Sequence, residues 1–221
     1  MWLSSILALA LAVSACNGKN ARNEAKRADT AMVQGDHDAA IVHFDAAIRA
    51  DPTFARAFHG RGAALSHKGL FDEAILSYSE AIRLEPQNDV AVFDRGLAYW
   101  EIGRHQQARA DFQQAISINP KNDAAYNGLA WAMSTSPQAE VRDGKTALEM
   151  ATRACELTDW NNPYHLSTLA AAYAETGQFQ RAIEFHRKAM ALPDFPAAKM
   201  DRARQRLELY EDGMPYREVQ R

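Results

Sequence analysis

Between Ala21 and Pro120, apolar residues return at the three- and four-residue spacing of helices, and the helical stretches come in pairs. In the clearest pair, Phe58, Gly62, Leu65 and Ser66 fall on one face of a first helix. Gly69 ends that helix, because glycine accepts the positive φ that closes a helical turn. Ala74, Ile75, Tyr78, Ala81 and Ile82 then mark the apolar side of a second helix. Asp72 and Glu73 sit in its first turn, where the helix dipole favours anions. Pro86 lies just past its end, since proline cannot continue the hydrogen-bond ladder.

The pair recurs. Pro52, Pro86 and Pro120 stand 34 residues apart, as do Ala40, Ala74 and Ala108, and Phe44, Tyr78 and Phe112. Ala47, Ala81 and Ala115 keep the same step, with Ile48, Ile82 and Ile116 and with Gly35, Gly69 and Gly103. Several series locked at one period of this length predict a solenoid. Gly62 and Ala74 let paired helices approach closely, Ala81 lets the second helix meet the next repeat, and the aromatics fill the space that small residues leave. These positions read as core.

The pattern resembles the tetratricopeptide repeat. The second repeat supplies Gly62, Leu65, Ala74, Tyr78, Ala81 and Pro86, and the third Gly96, Tyr99, Ala108, Phe112, Ala115 and Pro120. The first supplies Ala28, Ala40, Phe44, Ala47 and Pro52. A fourth carries Tyr126, Leu129, Ala130, Ala147, Ala151 and Ala154, with five extra residues placed in the loop Ser134–Asp143. A fifth opens at Asn162-Pro163, a capping residue followed by proline at the first helical position. It continues through Leu166, Ala170, Tyr173, Gly177, Ala182 and Ala189, with His186 in the aromatic core slot. The resemblance implies an all-α fold: an α-solenoid over 21–195, with five helix-turn-helix repeats near 21–54, 55–88, 89–122, 123–161 and 162–195. Met200, Ala203, Leu207 and Tyr210 then stripe a capping helix over 196–212, and 213–221 reads as a loose tail.

Composition agrees with helix: alanine is abundant, glycine and proline are sparse. The net charge is -3 with both signs interspersed, which argues against nucleic acid as a partner. Two cysteines, Cys16 and Cys155, exclude a disulfide-dense fold. The histidines are scattered, and no metal-binding spacing, phosphate loop or nucleophile–base arrangement can be placed. No metal, cofactor or catalytic residue is expected, and an enzyme of unrecognised type is the minor alternative.

The N-terminus carries a separate signal. Residues 3–13 are almost wholly apolar, a run too short to span a bilayer but suited to the apolar region of a secretory signal. Val13-Ser14-Ala15-Cys16 resembles the lipobox of bacterial lipoproteins. The resemblance implies a signal over 1–15, lipidation of Cys16, a short tether over 16–20 and a stable anchor. Asn17, in a place where Asp often marks inner-membrane retention, resembles outer-membrane sorting on the periplasmic face. No Lys or Arg precedes the apolar run, a departure from the signal pattern. The other reading is an apolar helix packed on the first repeat, with Cys16 a plain thiol. If Cys16 is acylated, Cys155 is a free, buried thiol.

In tetratricopeptide repeats the first helices line a concave groove. By register, the groove positions are Arg22, Ala25, Asp29 and Met32; Arg56, His59, Ala63 and Ser66; Val90, Phe93, Leu97 and Trp100; Ala124, Asn127, Trp131 and Ser134; and Tyr164, Ser167, Ala171 and Ala174. Among them Arg22, Arg56, His59, Phe93, Trp100, Asn127, Trp131 and Tyr164 are the expected binding residues. The four aromatics suit a partner's apolar side chains, unless a terminal helix covers some of them. The Lys and Asn positions with which some members grip a C-terminal carboxylate are not reproduced, since the first repeat has Ala25 and Asp29. The implied function is a membrane-anchored scaffold of the bacterial cell envelope that binds membrane-proximal proteins, with a homodimer left open. A cytoplasmic interaction protein without a lipid anchor is the alternative.

Overall fold

A computed structural model describes residues 2–218, with side chains from Gly18 onward. Cys16 therefore lies outside the residues whose side chains are described. Among the described residues there are eleven α-helices and no strand. They are α1 (Trp2–Val33), α2 (His37–Ala50), α3 (Ala55–His67), α4 (Phe71–Leu84), α5 (Asp89–Glu101), α6 (His105–Ile118), α7 (Asp123–Thr135), α8 (Gly144–Leu157), α9 (Pro163–Glu175), α10 (Phe179–Ala191) and α11 (Met200–Glu211). The spacing predicts this all-α architecture of consecutive helix pairs. The chain divides within α5 into two compact blocks, one ending at Ala98 and the other beginning at Tyr99. Among the described residues no helix is long and apolar enough to cross a membrane.

In the N-terminal block, α1 packs on α2 and α3 on α4. Ala21, Ala25, Ala28 and Ala31 give α1 a flat stripe that meets Ala40, Phe44 and Ala47 of α2 and Ala57 and Ala64 of α3. Phe44 enters the place where Gly60 lacks a side chain: a Cβ there would lie 2.2 Å from its ring. Tyr78 uses Gly62 in the same way, at 2.7 Å. Each regular turn between paired helices closes on a glycine with positive φ, at Gly35 (77°), Gly69 (76°), Gly103 (74°) and Gly177 (76°).

In the C-terminal block α6, α7, α8, α9, α10 and α11 each pack on the next in chain order. The fourth repeat has no turn glycine. Its loop instead carries a 3-10 turn at Ala139–Val141, with Val141 buried beneath it. Arg142 pins the loop by donating to the Ser136 and Pro137 carbonyls at 2.9 and 3.2 Å. Cys155 is buried and free, and desolvation pushes its thiol up to about 12, so it stays protonated and unreactive.

His186 fills the aromatic slot and is wholly buried. Its Nε2–H donates to the Ala203 carbonyl at 2.9 Å, and its ring meets Tyr210 edge-on. Those contacts join the last repeat to α11, whose Ala203 and Tyr210 are buried as the apolar stripe predicts.

Residues 213–218 correct the expectation of a loose tail. Gly213, at φ 69°, turns the chain back from α11, and the Met214 N–H closes on the Leu209 carbonyl at 2.8 Å. The segment then runs to the end of α7, where the Glu218 N–H donates to the Thr135 carbonyl at 2.8 Å.

Candidate protein-binding faces

In the N-terminal block, two predicted groove residues link the first helices of neighbouring repeats. Arg56 of α3 pairs with Asp29 of α1 at 2.6 Å, and His59 of α3 meets Asp94 of α5 at 2.7 Å. Both contacts lie on one face, with half-buried Phe93 and exposed Arg22 on the same first helices. The Arg56 pair is mostly solvated, so it adds little stability and leaves the guanidinium accessible. Ala25 was expected on this face but is fully buried, because the alanine stripe of α1 is its packing side.

In the C-terminal block, Trp100 rests edge-on against His105, with ring centroids 4.2 Å apart. Neither His105 ring nitrogen has a hydrogen-bond partner, and burial lowers its pKa, so the imidazole is neutral. Asn127 presents a buried Oδ1 without a partner. Tyr164 is exposed and carries the Lys199 ammonium 4.6 Å above its ring. Beside it a cleft is lined by Thr158, Asn161, Asn162 and Asp194.

Trp131 is not an open surface. Tyr216 packs against it with centroids 5.9 Å apart, and the Arg206 guanidinium lies 5.4 Å from its ring. Tyr216 also packs on the cluster of Ala170, Ala174, Ala182 and Tyr210. Ser134, Ser167, Ala171 and Ala174, expected on the groove face, are buried. Residues 216–218 thus cover part of the face that repeat register exposes. The register also missed Arg142, Glu175 and Arg217. Glu175 receives Arg142 on one oxygen at 3.2 Å and Arg217 on the other at 2.6 Å. Nothing local marks Glu175, because its partners lie far away in sequence.

Among the described residues no cluster of three or more His, Cys, Asp or Glu could hold a metal ion. What the first helices carry is paired charge and half-buried aromatics, which suits recognition of a polypeptide. Sequence profiles described as tetratricopeptide repeat match residues 25–89, 91–122 and 164–192, together more than half of the chain.

The chain belongs to the tetratricopeptide-repeat family.

The stretch between the last two profile matches holds the irregular fourth repeat, which folds as the pair α7 and α8 despite its inserted loop. No curated protein matches the chain. Several solved tetratricopeptide-repeat structures do. MamA from Desulfovibrio magneticus RS-1, residues 41 to the end, is 18% identical with a TM-score of 0.68, over 79% of this chain and 96% of that one. TTC0263, a thermophilic TPR protein of Thermus thermophilus, is 20% identical with a TM-score of 0.62, over 87% and 98%. YrrB, described as a TPR protein with an unusual peptide-binding site, is 19% identical with a TM-score of 0.62, over 80% and 88%. At these identities the likeness is one of fold. Tetratricopeptide-repeat proteins bind other proteins or peptides, and this chain has the scaffold for that.

Proposed function

We propose that this protein is a lipid-anchored adaptor of the bacterial cell envelope, which holds partner proteins on the face of its first helices. The binding half is supported by two contacts between adjacent first helices, Arg56 with Asp29 and His59 with Asp94, and by half-buried Phe93, which precedes Asp94 on α5. The anchoring half rests on Val13-Ser14-Ala15-Cys16 after an apolar run. Among the described residues the first in the packed core is Ala21, five residues after Cys16. The segment between them, even extended, reaches no more than about 20 Å, which keeps partners close to the membrane surface. Asn17 favours the periplasmic face of the outer membrane as the site.

Cys16→Ser tests the anchor. Loss of the protein from the membrane fraction supports lipidation, whereas unchanged fractionation supports the cytoplasmic reading. Arg56→Ala with Phe93→Ala tests the binding face. Envelope proteins captured by the solubilised parent should be lost from the double variant, and equal capture would count against this face.

A further inference from the structure

The strongest unassigned feature is the way α7 ends. The last carbonyls of a helix have no partner within it, and buried ones must find partners elsewhere. Here the Ala132 carbonyl accepts the Ser136 N–H at 3.2 Å and the Met133 carbonyl accepts the Asp143 N–H at 3.0 Å, both from the inserted loop. The next two are supplied by the tail. The Ser134 carbonyl accepts Arg217 Nη1 at 3.2 Å, and the Thr135 carbonyl accepts the Glu218 N–H at 2.8 Å. Ser134 and Thr135 are both fully buried, so these acceptors are shielded from water when the tail is in place.

Charge adds selectivity. Glu175 is only 13% exposed at its side chain. One of its oxygens is held by Arg142, and the other is left for Arg217 in a 2.6 Å charge contact rather than an aligned hydrogen bond. The preceding residue, Tyr216, packs against the Trp131 ring, and the Arg206 guanidinium lies 5.6 Å from the Tyr216 ring. The tail therefore uses three features in a row: an aromatic ring, an arginine and a main-chain N–H. Met214 is exposed and 215–218 are only half-buried, so the segment is laid on the repeats rather than built into their core.

We infer that this is a site for an extended aromatic–arginine segment of a partner protein, which the chain's own Tyr216–Arg217 occupies as an intramolecular competitor. The inference rests on the reading of the first-helix face as protein-binding, and it names the chemistry of the partner and how access is regulated. Any chain with an aromatic residue followed by arginine can satisfy the same ring, carboxylate and two carbonyls. A bound tail lowers apparent affinity by the fraction of time the site is closed.

The test uses a fluorescent peptide of residues 214–221 and the full chain carrying Tyr216→Ala with Arg217→Ala. Anisotropy should show the peptide binding this variant about tenfold or more tighter than the parent chain. Adding Glu175→Gln should weaken it again by about tenfold, and peptides lacking the tyrosine or the arginine should not bind. A chain ending at Asp212 serves as the second variant if the first melts without cooperativity. In the unaltered chain, excess peptide should speed hydrogen exchange at the Glu218 amide. Absent binding, equal affinity for parent and variant, or unchanged exchange would overturn the inference. So would a dimer of the parent chain that the double substitution turns into monomer, which would assign the tail to a second copy. None of these readouts needs an envelope partner, so they can fail while capture through Arg56 and Phe93 stands.

Discussion

His186 and Ala203 share a hydrogen bond of 2.9 Å inside the C-terminal core, imidazole Nε2–H to main-chain carbonyl. Burial sets the His186 pKa down to about 4 from the ordinary 6.5, with the Arg206 charge acting in the same direction and the bond to Ala203 opposing both. The folded state therefore binds this proton less readily than the unfolded chain does. The contribution of neutral His186 is complete above about pH 6.5 and is lost as the pH falls towards 4, by roughly 3 kcal/mol in all. Urea unfolding at pH 7 and at pH 4.5 should show stability falling with acid. His186→Phe, which places in this slot the residue the first and third repeats use, should remove that part of the pH dependence. Equal slopes for parent and variant would refute the assignment.

Two glycines give a graded test of the packing. Gly60 and Gly128 stand two repeat periods apart and face Phe44 and Phe112. Alanine gains about 1 kcal/mol over glycine in a helix interior. At Gly60 the added Cβ would lie 2.2–2.9 Å from three atoms of a ring that is 2% exposed, so overpacking wins. Gly60→Ala should lose about 1–2 kcal/mol. At Gly128 the nearest ring atoms are 3.2–3.3 Å away. Gly128→Ala should fall within about 1 kcal/mol of the parent. Chemical denaturation of both variants would show the order, and the reverse order would contradict the contact.

The fifth repeat depends on its cap. The Asn162 side-chain oxygen accepts the Tyr164 N–H at 2.9 Å and the His165 N–H at 3.4 Å, with Pro163 at the first helical position. Asn162→Ala should cost about 1 kcal/mol and Asn162→Asp much less. Thermal melts of the two variants check this, and equal midpoints would argue that the cap contributes nothing.

The repeat was legible because each packing contact demands a shape at a fixed place. Phe44, Tyr78 and Phe112 must each meet a small residue, and each tight turn needs a residue at ease with positive φ. The Gly60 and Gly128 contact was hidden because the equivalent place in the third repeat is Asp94, which pairs with His59 instead. Register alone could not orient Ala25: an alanine has no bulk to show which way it faces, and here it packs inward. The contacts were least legible where the chain folds back. Glu175 joins Arg142 and Arg217, which come from the inserted loop and the tail and stand outside any repeat spacing.

The central claim is that partner proteins are held on the first helices. Photo-crosslinking in intact cells tests it most directly, with the reactive residue placed at Arg56 or Tyr164 on first helices, or at Val42 or Leu76, which are exposed on the second helices α2 and α4. The account predicts adducts to envelope proteins from 56 and 164 and none from 42 and 76. Adducts from 42 and 76 alone, or equal yields from all four positions, would contradict it.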